Sequence, residues 1–377
     1  MFNYQLFKII TRTGLLFLTL FLISFSAQGQ QRVFPGWETD FSKTSIDLDE
    51  LRSGGPPKDG IPSIDNPSFV SSDAADDWLK DNEPVILLEH NGIARAYPLQ
   101  ILIWHEIVND EIDDTPILVT FCPLCYSAIV FDRRLNSKIL EFGVSGFLRH
   151  SDMIMFDRGT ESLWQQFTGE AVVGDYIGEQ LTILPSQIVS YKQFKELYPD
   201  ASVLSKETGH QRSYGENPYA GYDDINNTPF MMKGDVPDDK LKPMQKVIGV
   251  RTDSQQKAYS YALTKEKRVI NDSLEATPIV IFHLPGANSA LDARKISNSR
   301  EDGSTAAFHR IVDDRILTFH YKNDQVKDHQ TKSTWNITGK ATSGEMGGKQ
   351  LKPLIFGDYF AFAWLVFWPE TDIYELD

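Results

Sequence analysis

Two stretches of this 377-residue chain repeat the same short words at a fixed spacing. Ala96-Tyr97, Asn109-Asp110 and Thr115-Pro116-Ile117 recur as Ala258-Tyr259, Asn271-Asp272 and Thr277-Pro278-Ile279, all at an offset of 162. Further on, Phe131-Asp132-Arg133 is echoed by Phe308-His309-Arg310, and Ser162-Leu163-Trp164 by Ser333-Thr334-Trp335. Gly169, Ala171 and Gly174 are echoed by Gly339, Ala341 and Gly344, and Tyr198-Pro199 by Trp368-Pro369. Offsets that drift only by loop-sized amounts imply duplication. Two copies of this length imply paired domains and exclude a solenoid.

Within each copy the pattern is mostly strand. Ile117 to Phe121, Ser127 to Phe131, Lys138 to Phe142 and Asp152 to Phe156 are short apolar or alternating runs between turn-prone residues. Ile279 to Phe282, Thr305 to Phe308 and Ile316 to Tyr321 match them. Helix signals are few: Leu99 to Trp104 behind Pro98, and Ser190 to Tyr198 with Tyr191, Phe194 and Leu197 at helical spacing. The predicted class is α+β and β-rich, with two tandem barrel- or sandwich-like units. The predicted organisation is a signal peptide over 1–29, an extended lead-in over 30–75 and a first repeat over 76–205. An irregular connector over 206–246 and a second repeat over 247–377 complete it.

The beginning of the chain reads as a secretory signal. Lys8 and Arg12 precede the apolar run Leu15 to Phe25, and Ala27-Gln28-Gly29 offers small residues for cleavage. The run is short for a bilayer span, and no cysteine follows it to carry a lipid. Export to the periplasm or cell exterior is expected, with no stable membrane insertion after cleavage. The net charge of −15 argues against nucleic acid as a partner. A small ligand or an envelope protein is left open as the partner. No phosphate loop or dinucleotide fingerprint is present, so no nucleotide cofactor is expected.

Cys122 and Cys125 are the only cysteines, in Cys122-Pro123-Leu124-Cys125. A disulfide closing so small a loop removes little unfolded-state entropy, so a structural staple explains them poorly. Three readings remain. A metal site would use both thiolates, with His105 as third ligand and Glu106 orienting it or lending an oxygen. Soft sulfur ligands suit copper or zinc, and two cysteines are too few for a typical iron–sulfur cluster. A cell-envelope thiol–disulfide oxidoreductase would attack with Cys122 and resolve with Cys125. Against this, Tyr126 to Phe131 reads as a strand, where thioredoxin-type sites have a helix. A non-catalytic binding module is the third reading. His150 and Asp152, after the glycine-containing bend Gly143 to Gly146, are alternative ligands. The second copy has Phe282-His283-Leu284-Pro285 in place of the cysteine motif, and Lys267-Arg268 in place of His105-Glu106. Any chemistry therefore belongs to the first copy.

From about Ser53 onward the chain resembles a bacterial and archaeal family known only as a domain of unknown function. The resemblance is carried by Ser53-Gly54-Gly55-Pro56-Pro57-Lys58-Asp59-Gly60-Ile61-Pro62, Tyr97-Pro98 and Trp104-His105-Glu106-Ile107-Val108-Asn109-Asp110. Thr120 to Cys125, Phe142-Gly143-Val144-Ser145-Gly146 and Ser151-Asp152 complete it. It implies an exported protein named by sequence and not by activity. It also implies that position 150 is usually not histidine, which favours His105 over His150 as a ligand.

Overall fold

Short β-branched and aromatic runs separated by turn residues become strands along the whole chain. Strand makes up 42% and helix 11%, so sheets set the architecture. The computed structural model describes residues 34–232, 241–252 and 254–375. The signal segment 1–29, the start of the lead-in and part of the connector lie outside these residues. Among the described residues the sheets are open and sandwich-like; none closes into a barrel. No described helix is long and apolar enough to cross a membrane.

Three sheets of four or five strands, and a two-stranded one of Arg134–Leu135 and Lys138–Ile139, build the first half. Pro84–His90 and Ile93–Pro98 form a hairpin flanked by Gln187–Ser190 and by Ser202–Leu204, the latter parallel to Ile93–Pro98. Ile107–Ile112, Thr115–Cys122 and Ser127–Asp132 form an antiparallel meander edged by Thr182–Leu184. Phe142–Arg149, Asp152–Asp157, Leu163–Gln165 and Glu170–Val173 form the third, with Arg52–Ser53 of the lead-in at its edge. The second half runs in the same order. Lys246–Arg251 and Gln256–Ser260 precede the helix Tyr261–Lys267, and Val269–Leu274 and Thr277–Leu284 follow. Near the C-terminus, Ile355–Phe360 leads into the helix Ala361–Phe367.

The same side-chain bonds recur in both halves. Tyr97 donates to Asp110 at 2.6 Å, and Tyr259 to Asp272 at 2.7 Å. Trp164 donates its ring N–H to Asp157 and Trp335 to Asp328, each carboxylate also holding the following Thr-x-Ser turn. Arg133 and Arg310 donate to the Leu140 and Leu317 carbonyls at 2.7 and 2.9 Å. Two apolar cores each draw on both halves. One joins Phe121 and Trp164 to Phe360 and Trp364; the other joins Val85 and Tyr191 to Phe282 and Trp335.

Several sequence expectations change in detail. Lys138 to Phe142 is not one strand, because Leu140 turns back to donate to the Arg133 carbonyl at 3.0 Å. Phe142 instead opens the next strand. Leu317 makes the same turn onto Arg310 and splits Ile316 to Tyr321. Gly143 to Gly146 is not a bend before a strand; it lies inside Phe142–Arg149, where the register shifts between Val144 and Leu148. The helix Ala361–Phe367 was not legible because it is almost wholly apolar and buried, which hides its period.

Candidate metal centre

Three turns meet at the cysteine motif. Cys122 ends Thr115–Cys122 and pairs with Ser127, so Cys-Pro-Leu-Cys is the turn of a β-hairpin. Its backbone closes through Cys125 N–H to the Cys122 carbonyl and Tyr126 N–H to the Pro123 carbonyl, both 3.3 Å, with Tyr126 at φ 55°. The second turn, His150-Ser151, has φ of 52° and 67° and joins Phe142–Arg149 to Asp152–Asp157. Asp152 is the first residue after it. The third is the end of the helix Leu99–His105, where Glu106 caps with φ 59° and donates to the Leu102 carbonyl at 2.7 Å.

The sulfurs of Cys122 and Cys125 and a carboxylate oxygen of Asp152 all lie within 4.8 Å of one another. All three residues are buried. Asp152 Oδ2 accepts from Gln165 Nε2 at 2.5 Å and from the Phe167 N–H at 2.9 Å. Its Oδ1 is buried without a hydrogen-bond partner. A buried carboxylate is costly without partners, and the thiols of Cys122 and Cys125 stand beside this one. Burial pushes Asp152 up to about 7. Burial, and then the Asp152 charge, push Glu106 up to about 8. Burial raises both thiols, Cys125 further than Cys122. Burial is the leading cause in all four groups, and among the described residues no neighbouring cation offsets it.

His105 is buried, and both its ring nitrogens are engaged elsewhere. Nδ1 faces the Pro62 carbonyl and Nε2 the Tyr214 hydroxyl, each at 2.7 Å. A carbonyl only accepts, so Nδ1 carries the proton and Nε2 accepts from Tyr214. Burial lowers its pKa to about 4. The ring thus pins the lead-in and the connector to the helix end, and the Cys–Cys–Asp group forms without it. His150 lies beside Glu50, 3.6 Å away, and the Phe367 ring; it too is outside that group. Of the alternative ligands, Asp152 is the one brought to the sulfurs. Glu106 approaches as well, its charge felt by Cys122.

The left-handed backbone at Glu106 is a property of the framework. Arg268, 162 positions on, has φ 65°. Glu106 and Arg268 each accept from the next strand at 2.9 Å, from Phe121 and His283 respectively. This register pairs His283 with Phe121 and Leu284 with Cys122, one residue away from the alignment of Phe282 with Phe121. In this register the second half has Arg268 in place of Glu106 and Leu284 in place of Cys122.

The connector and the second half close over the motif. Tyr222 donates to the Leu124 carbonyl at 3.2 Å and accepts from the Phe230 N–H at 3.1 Å. Lys246 sits 3.2 Å from the centre of the Tyr126 ring. Nothing in the sequence marked Tyr222 or Lys246 as part of this site.

No curated protein and no solved structure matches the chain. Residues 58–371 match the family described as "Protein of unknown function (DUF3179)". The match spans both halves and every residue of the cysteine centre, and the chain belongs to that family.

Proposed function

We propose that this is an exported metal-binding protein whose ion is held by Cys122, Cys125 and Asp152. The observation that carries the reading is the buried group of two sulfurs and a carboxylate oxygen of Asp152, all within 4.8 Å of one another. Two thiolates and a carboxylate match zinc, which accepts sulfur and oxygen together. Copper is the alternative, since soft thiolates also select Cu(I). Three protein ligands leave a tetrahedral ion one open position, the pattern of a reactive rather than a purely structural site. Glu106 is the group at hand to supply a fourth oxygen or to hold a proton there. Gln165 and the Phe167 amide fix Asp152, as outer partners of ligands commonly do.

We assign the matching element order and the shared side-chain bonds to duplication, with repeats at 76–205 and 247–377. The second copy buttresses the first. A thiol–disulfide oxidoreductase fits less well. Both thiols are buried and raised, whereas attacking cysteines are exposed and lowered. A strand, not a helix N-terminus, follows the motif.

Elemental analysis of the chain from Gln30 to Asp377, purified without a metal-binding tag and with thiols counted, tests this. The expected result is one zinc or copper per chain, lost in Cys122→Ser and in Asp152→Asn. No metal, with two thiols appearing only after reduction, would overturn it in favour of the redox reading.

A further inference from the structure

A cavity of about 250 Å³ opens beside Glu106. Ile61, Val144, Leu148 and Met153 give it aliphatic walls, and Tyr219 and Tyr222 aromatic ones. Among the described residues no lysine, arginine or histidine lines it, and Glu106 is the one acid. No hydrogen bond among the described residues reaches the Glu106 carboxyl. The wall is held in place by close backbone contact, since a Cβ on Gly146 would stand 2.2 Å from the Pro56 carbonyl oxygen.

We propose that this cavity binds a small organic amine with an apolar skeleton, its ammonium group meeting Glu106. The size lies at the lower end of ligand pockets, which limits the occupant to roughly one ring or a short branched chain. Charge decides the class. A carboxylate or phosphate would face Glu106 and, behind it, Asp152 and two sulfurs, with no cation to receive it. An occupant with no polar group would leave the Glu106 carboxyl buried and unbonded. An ammonium supplies several donors directed at the one carboxyl in the wall, and the tyrosine rings of Tyr219 and Tyr222 add cation–π attraction.

The inference rests on the proposed metal centre only for what the amine is presented to. Glu106 borders both the cavity and the ligand group, so a bound amine nitrogen would lie next to the centre.

The test is calorimetric titration of the mature chain with benzylamine, benzyl alcohol and benzoate, which share one ring skeleton. Benzylamine is expected to bind one per chain, at least ten-fold tighter than benzyl alcohol, with benzoate weakest. Glu106→Gln is expected to abolish the preference for the amine. Leu148→Trp and, on another wall, Ile61→Trp are expected to weaken benzylamine at least ten-fold, circular dichroism showing which variant keeps the fold. Benzoate binding as tightly as benzylamine, no binding of any probe, or amine binding indifferent to the folded variants would overturn the proposal. Metal content is read on the same samples. Amine binding with these dependences in a metal-free protein would remove the metal reading and leave the cavity; bound metal without amine binding would do the reverse.

Discussion

The backbone N–H of Phe360 donates to the carbonyl of Cys125 at 3.0 Å. Phe360 ends a strand of the cysteine-free half, and its ring packs edge-on against Tyr126 at 5.8 Å. A strand end of the cysteine-free half therefore holds the turn that carries the thiols. A hairpin turn alone leaves its carbonyls to solvent; here one is tied to a rigid strand end. That is how the half without cysteines braces the cysteine turn of the other half.

If an ion binds at Cys122, Cys125 and Asp152, it stabilises the native chain alone. Saturation at a hundred times the dissociation constant is worth about 2.7 kcal/mol. Chelation is expected to lower the melting temperature of the wild type by a few degrees and to leave that of Asp152→Asn unchanged. Differential scanning calorimetry with and without chelator reads this. An equal shift in both proteins would count against Asp152 as a ligand.

Lys246 is buried, stacked on Tyr126 and paired with Asp302. Lys246→Met keeps much of its volume but leaves Asp302 a weaker set of partners, chiefly Arg300 at 3.4 Å. Removing one member of a buried pair costs about 3 kcal/mol or more. A lower urea midpoint is expected, and because Tyr126 adjoins Cys125, weaker metal retention during dialysis. An unchanged midpoint would show that the pair is not stabilising.

Gly146 has φ 80° and lies against the Pro56 backbone. Gly146→Ala adds both backbone strain and a clash that only movement of the Gly54–Gly60 segment can relieve. The expected loss is roughly 2–4 kcal/mol, within the range for strained or overpacked sites. Proteolysis between Gly54 and Lys58 should accelerate. Gly92, also at positive φ, has open space around it, so Gly92→Ala should cost far less.

Glu83 is buried, accepts from Gln100 at 2.5 Å, and is pushed up to about 7 by burial. The folded chain then holds its proton more tightly than the unfolded chain, where the value is 4.5. Its contribution to stability is fully present below pH 4.5 and is lost as pH rises through about 7. Glu83→Gln removes the dependence while keeping an acceptor for Gln100. Relative to wild type, the variant should gain stability between pH 5 and pH 8, by at most about 3 kcal/mol. Urea titrations at the two pH values check the sign; a gain at pH 5 that vanishes at pH 8 would reverse it.

Local pattern carried the elements around the site. Leu99–His105 begins behind Pro98 as its sequence requires, and the cysteine motif sits between two strands as the apolar runs on either side imply. A proline-containing turn between β-branched runs has few alternatives. The residues that complete the centre were harder to read. His105 and Glu106 are adjacent in sequence, and the histidine has the more familiar ligand chemistry. Their side chains diverge because the helix ends between them. His105 keeps helical geometry and is taken up by Pro62 and Tyr214, whereas the left-handed turn at Glu106 sends its carboxyl toward Asp152 and the cavity.

By itself the sequence determined the β-rich class, the two similar halves, and the placing of both thiols on one hairpin turn, because these follow from periods and spacings within short segments. That Asp152 joins the sulfurs, that Glu106 faces a cavity, and that Lys246 and, from the other half, Phe360 brace the motif came from the three-dimensional packing alone. Those relations depend on the register between hairpins and on packing between distant segments. A one-residue slip would send each side chain to the opposite face of its sheet, and nothing local to Cys122 fixes which residue of a strand 30 positions away will meet it.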